Sequence, residues 1–218
     1  MCAEQEAARR REMVEVCREI YSQRLVCGTG GNVSVRLGSS LLVTPTGCSL
    51  ARVTEADLVR VGLDGRMEEP APATKELPTH LALYRAFSDT MAVVHVHSFY
   101  SICVGIMPDV VPSRDVMPPY TANLVLKVGP VPLIPFAKAG SDALSNVVVQ
   151  AFRAEGVRAV LLQNHGVVTV GSSLWDALYT AEMVEENARI HVTLGGSGRH
   201  LSAADLELLD RKPGGVQD

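Results

Sequence analysis

The pair of histidines in Val93-Val94-His95-Val96-His97 is the strongest chemical signal in the chain. In an extended strand, residues two apart share a face, so His95 and His97 project together while Val94 and Val96 point the other way. Two imidazoles on one face can share a divalent ion. They can equally be satisfied separately, and spacing alone does not choose between the two. A third histidine adds weight to the metal. Gln163-Asn164-His165-Gly166 ends an apolar run and enters a tight turn, a place where functional side chains collect. Three neutral imidazoles with one open position describe a catalytic metal site rather than a closed structural one. His80 reads as a structural residue on a helix, and His191 and His200 as solvated or packed residues near the C-terminal end.

Three small polar turns could take an anion. Gly28-Thr29-Gly30-Gly31-Asn32 exposes backbone N–H groups able to form a nest. Thr44-Pro45-Thr46-Gly47 offers a hydroxyl and further backbone donors. Thr74-Lys75-Glu76 lies where a helix should begin, and free N–H groups there attract phosphate, with Lys75 adding a point charge. Each has a plainer reading: most Gly-rich turns are only turns, and Thr74 can be an ordinary N-cap. Glu76 is the candidate acid/base, since a carboxylate beside a metal and a phosphate can move a proton at carbon. Its plainer reading is a first-turn Glu favoured by the helix dipole.

Elements must hold these residues. Apolar periodicity predicts helices over 5–24, 76–86, 99–106, 141–154, 174–193 and 203–209. Pro78 fits only because it falls in a first turn. Strands are expected over 33–35, 41–43, 58–61, 91–96, 131–134, 159–163 and 167–170, with Gly38-Ser39-Ser40 as a hairpin turn. Hairpins mixed with helices argue for an α/β fold with one mixed, largely antiparallel sheet covered by helices.

A length of 218 residues suits a single domain over 1–218, with a frayed tail from about 212. The net charge of -4 leaves no basic footprint for nucleic acid. No apolar run reaches the roughly 18 residues of a membrane span. Residues 1–23 are charged throughout and lack a signal-peptide apolar region, so the expected location is cytoplasmic. The five cysteines form no C-x-x-C pair and read as reduced thiols.

In combination these motifs have a family likeness. G-T-G-G-N-V-S (28–34), T-P-T-G (44–47), T-K-E followed by His80 (74–80), V-V-H-V-H (93–97) and N-H-G (164–166) occur in this order. From about residue 8 to 210 the chain resembles the class II aldolase/adducin family, whose members include fuculose- and ribulose-phosphate enzymes. The resemblance implies a three-layer α/β/α fold and a homotetramer with sites at subunit interfaces. It implies zinc, or alternatively manganese or another divalent ion, on His95, His97 and His165. Glu76 matches the catalytic acid/base, which can touch the metal in the resting state. Asn32, Thr46, Gly47, Thr74 and Lys75 match the substrate-phosphate positions. Tyr120 falls near the tyrosine that handles the proton of the leaving aldehyde from a neighbouring subunit.

Aldolase members carry two serines where this chain has Thr74 and Lys75. The runs T-K-E-L-P-T-H-L-A-L-Y-R (74–85) and L-V-L-K-V-G-P-V-P-L-I-P-F (124–136) look like the 3-oxo-tetronate 4-phosphate decarboxylases, although A-K-A-G-S (137–141) departs from their R-P-G-D. The expected reaction is retro-aldol cleavage of a ketose 1-phosphate to dihydroxyacetone phosphate and an aldehyde through a metal-bound enediolate. The alternative is decarboxylation of 3-oxo-tetronate 4-phosphate to dihydroxyacetone phosphate and carbon dioxide. A non-catalytic adducin-like scaffold is the competing class, against which the three histidines and Glu76 argue.

Overall fold

The computed structural model describes residues 3–68 and 71–210; the tail expected to fray from about 212 lies outside them. In chain order the elements are α1 (Ala3–Ser22), β1 (Asn32–Leu37), β2 (Ser40–Val43), β3 (Val59–Gly62), α2 (Leu77–Ala86), β4 (Ala92–Val96), α3 (Phe99–Gly105), β5 (Leu133–Ile134), α4 (Asp142–Phe152), β6 (Ala159–Leu162), β7 (Gly166–Gly171), α5 (Leu174–Thr193) and α6 (Ala203–Asp210). Among the described residues, seven strands form one sheet in the order β3-β2-β1-β4-β7-β6-β5. Of these, only β5 and β6 pair in parallel; every other neighbouring pair is antiparallel.

Side-chain alternation divides the interior into two cores, one on each sheet face. Val33, Val35, Val94 and Val96 pack with Met13, Ile20, Val104, Leu178 and Val184 of α1, α3 and α5. Leu41, Val43, Val93 and Val168 pack with Leu77, Leu81, Leu144 and Val148 of α2 and α4. The result is the expected three-layer α/β/α arrangement. Burying each such aliphatic side chain is worth about 1.5–3 kcal/mol. Because both faces are covered, the face carrying Val93 and His95 is itself a core face, and His95 is only 1% exposed.

Several boundaries differ from expectation. The strand expected over 131–134 shortens to Leu133–Ile134, because Pro130 and Pro132 have no N–H to give a ladder. Leu124–Val128 forms a π-helical turn that apolar periodicity did not predict. The helix expected from Glu76 begins one residue later, with Glu76 at its N-cap and Pro78 in its first turn. Among the described residues no helix is long and apolar enough to cross a membrane.

Candidate metal centre

Strand β4 lies in the middle of the sheet, between β1 and β7. Its His95 pairs in register with Asn32 of β1 and Val168 of β7. His97 follows the last residue of β4. His165 comes from the three-residue turn between β6 and β7, where His165 N–H donates to the Leu162 carbonyl at 3.1 Å. Asn164 takes the left-handed conformation there, with φ +57°; Asn tolerates that region better than most residues. Gly166 then lets β7 start against β4. A Cβ at that position would run into the Val96 carbonyl and approach His97 Cδ2 at 3.1 Å.

The three imidazoles converge. His95 Nε2 lies 3.0 Å from His97 Nε2 and 3.3 Å from His165 Nε2. Glu76, at the start of α2, places Oε1 3.3 Å from His95 Nε2 and 3.5 Å from His165 Nε2. The four ligand atoms all lie within 4.8 Å of one another. Nitrogens bound tetrahedrally to zinc at ~2.0–2.1 Å would stand about 3.3 Å apart, so this spacing fits a metal. Tautomer chemistry fits as well. His95 Nδ1–H donates to the Val167 carbonyl at 3.0 Å, which leaves the Nε2 lone pair facing the centre. Lone pairs directed at one point repel unless a cation lies between them.

Electrostatics agree with that donor set. Burial pushes the His97 imidazole down to about 4, and neighbouring His95 and His165 act in the same direction. His97 is therefore neutral and able to ligate near pH 7. Burial on its own would raise the Glu76 carboxyl, but positive charge on the facing His95 and His165 rings outweighs it and holds the group far below the usual carboxylate range. A cation at the same point would act in the same sense.

The turns named as anion sites meet around α2. The Pro45↔Ala73 bridge, Thr46 N–H to the Pro72 carbonyl at 3.1 Å and Thr74 N–H to the Thr44 carbonyl at 3.0 Å tie the 44–47 turn to the approach to α2. This spends the Thr46 N–H, so its hydroxyl is the group left for a ligand. Thr74 is not the N-cap: its Oγ1 accepts from Glu76 N–H at 3.2 Å, which fixes the backbone carrying the carboxylate. Asn32 and Thr74 are buried, Thr46 is half-buried, and Gly47 and Lys75 are exposed.

Tyr120 stands apart from these groups. It sits in the loop after α3, where its hydroxyl meets His191 Nδ1 at 2.9 Å and its ring packs edge-on to His200. Asn187 Nδ2–H donates to the Pro118 carbonyl at 3.0 Å, so α5 holds this loop at two points. His80, read from sequence as structural, is buried at 1% and bonded through both ring nitrogens, to Asn32 and Ser34. A lone histidine on a helix gives no sign of such wiring; the i, i+4 spacing from Glu76 is the local signal that could have pointed to it.

Comparison with known proteins adds the family context. The family model described as the Class II Aldolase and Adducin N-terminal domain matches residues 11–192. A 3-oxo-tetronate 4-phosphate decarboxylase of Haemophilus influenzae is 34% identical over 207 residues, covering 94% of this chain and 97% of the relative. An L-fuculose phosphate aldolase of Methanocaldococcus jannaschii is 33% identical over 181 residues, covering 83% and 94%. Among solved structures, YgbL from Escherichia coli superposes with a TM-score of 0.87 at 32% identity, over 94% of this chain and 98% of that one.

Proposed function

The chain belongs to the class II aldolase and adducin family, and from that membership we propose that it is a metal-dependent lyase breaking a carbon–carbon bond in a phosphorylated sugar or sugar acid. The observation that carries this reading is the convergence of His95, His97, His165 and Glu76 within 4.8 Å. The three histidines would hold the ion, zinc by the fit of their spacing, with Glu76 able to reach it in the resting state. When bound, such an ion supplies Lewis-acid stabilisation of the negative charge that builds on a carbonyl oxygen beside the breaking bond.

The remaining work falls to the chain's own residues. Asn32, the Thr46 hydroxyl, Gly47, Thr74 and Lys75 bind and orient the substrate phosphate, using contacts remote from the reacting bond. Glu76, ionised at rest and buried, first takes up a proton from water and then delivers it to the carbon that has lost its substituent. In the first reading that substituent is an aldehyde: retro-aldol cleavage of a ketose 1-phosphate yields dihydroxyacetone phosphate. Tyr120, directed to a neighbouring subunit's site, then handles the proton on the aldehyde oxygen.

The second reading is decarboxylation of 3-oxo-tetronate 4-phosphate to dihydroxyacetone phosphate and carbon dioxide. It is favoured by the Haemophilus relative and by Lys75 in place of a serine. Both readings leave an electron pair on a carbon next to a carbonyl, so the same four groups serve either. Assaying the metal-loaded protein with both substrate types, following dihydroxyacetone phosphate, aldehyde and carbon dioxide, separates them. Aldehyde in step with dihydroxyacetone phosphate supports the first; carbon dioxide without aldehyde removes it and supports the second. Neither product from either substrate would count against the lyase itself.

The site is read as interfacial in a homotetramer. α3 begins two residues after His97; Phe99 at its start and Ile106 just past its end are 66% and 49% exposed. Apolar exposure of this kind beside a site is what a subunit contact covers. The whole of 1–218 is read as a single domain of this type.

A further inference from the structure

Beneath the proposed phosphate cradle, Asn32 is joined to three buried polar groups that the lyase reading leaves without a role. Asn32, Ser34, His80 and Tyr84 are 6%, 0%, 1% and 2% exposed. Asn32 and Ser34 lie two apart on β1, so both face α2, which carries His80 and Tyr84 one turn apart. His80 Nε2 lies 2.6 Å from Asn32 Oδ1, His80 Nδ1 lies 2.6 Å from Ser34 Oγ, and Ser34 Oγ lies 3.0 Å from the Tyr84 hydroxyl.

The directions of these bonds follow from the inventory of donors. A carboxamide oxygen only accepts, so Nε2 of His80 carries the proton. A neutral imidazole has one donor and one acceptor, so Nδ1 accepts from the Ser34 hydroxyl. With its proton spent, Ser34 Oγ accepts from the Tyr84 hydroxyl. Every donor therefore points along the chain toward Asn32, and each bond polarises the next. Asn32 has its oxygen committed to the interior, and its Nδ2 group, with two protons, is the end left to meet an anion. Asn32 also stands opposite His95 in the strand register, beside the metal centre.

We propose that His80 is a positioning residue that locks the Asn32 carboxamide with its NH2 group toward the phosphate of the substrate. The proposal rests on the reading of Asn32 as a phosphate ligand. A histidine that merely filled the core would be indifferent to which end of the carboxamide faced the ligand. Burial pushes His80 down to about 4, against the raising effect of Glu76 and with the lowering effect of His95, which keeps the donor–acceptor pattern intact at neutral pH.

The test is titration of inorganic phosphate into the metal-loaded protein by calorimetry, for wild type, Asn32→Ala, His80→Leu and His80→Gln, with metal content measured on each. Asn32→Ala and His80→Leu should each weaken phosphate binding by about tenfold at unchanged metal content, as expected for losing or misdirecting a hydrogen bond to a charged group. His80→Gln, whose amide can still donate to Asn32, should stay within about threefold of wild type. Loss in Asn32→Ala but not in His80→Leu overturns the role of His80 and leaves the phosphate reading standing. No loss in Asn32→Ala overturns the phosphate reading itself. Equal losses in His80→Gln and His80→Leu also contradict the donor role. If His80→Leu does not fold, the tautomer decides: nitrogen-15 spectra of histidine-labelled wild type should show His80 protonated at Nε2, and protonation at Nδ1 instead would overturn the proposal.

Discussion

At the residue scale, Glu76 and His95 touch each other yet are assigned separate work, and substitution should separate them. His95→Ala removes the most buried imidazole of the set and should abolish both metal binding and turnover. Glu76→Gln keeps three nitrogen ligands and should retain the ion while kcat falls by about 10²–10⁴-fold, the usual worth of a general acid/base. Near-wild-type turnover in Glu76→Gln, with metal content and product analysis alongside, would remove the carboxylate from proton transfer. His80 supplies a pH test. Its folded value of about 4 lies below the unfolded value near 6.5. Between those values the unfolded chain binds the extra proton, so stability falls as pH drops through that window and is unaffected by this group above it. The contribution is about 3 kcal/mol for one group shifted this far. Denaturant unfolding from pH 7 to 4 should show that His80→Gln loses correspondingly less stability over the range; an unchanged slope would contradict it.

At the element scale, the site depends on how closely β4 and β7 approach one another. Gly166 is the contact point: an added Cβ there would clash with the Val96 carbonyl and press on His97 Cδ2 at 3.1 Å. Gly166→Ala should therefore cost about 1–3 kcal/mol, typical of overpacking, and weaken metal binding by displacing His97. Unfolding curves and metal titration check both, and a variant matching wild type in both would show that the approach has slack. Much at this scale was legible. Alternation placed His95 and His97 on one face of a strand, and apolar periodicity located the helices to within a few residues. The shortened β5 and the π-helical turn at Leu124–Val128 were not legible, because proline spacing and local ring closure leave no periodic trace. The meeting of Glu76 with His95 and His165 was implied by the family resemblance but by no local pattern. It requires the order β1-β4-β7, and a non-sequential strand order is a property of tertiary packing rather than of any local pattern.

At the scale of the whole molecule, two covered sheet faces supply rigidity while the chemistry gathers at one end of β4. That explains why His80 looked like a simple core residue: it is one, and its ring also reaches the strand that carries Asn32. Tyr120 belongs to this scale too. Its hydroxyl meets His191 and its loop is tied to α5 through Pro118, and the catalytic role proposed for it rests on assembly with a neighbouring subunit. Sedimentation of the metal-loaded protein should give a mass near four chains, and Tyr120→Phe should lower aldol turnover without altering that mass. A monomer with full activity would remove both the interfacial site and the tyrosine.

Metal analysis of protein purified without chelator is the most direct test of the central claim. Wild type should carry about one divalent ion per chain, retained in Glu76→Gln and lost in His95→Ala, as set by the three-histidine site. Wild-type protein without a divalent ion, or an ion that survives His95→Ala, would contradict it.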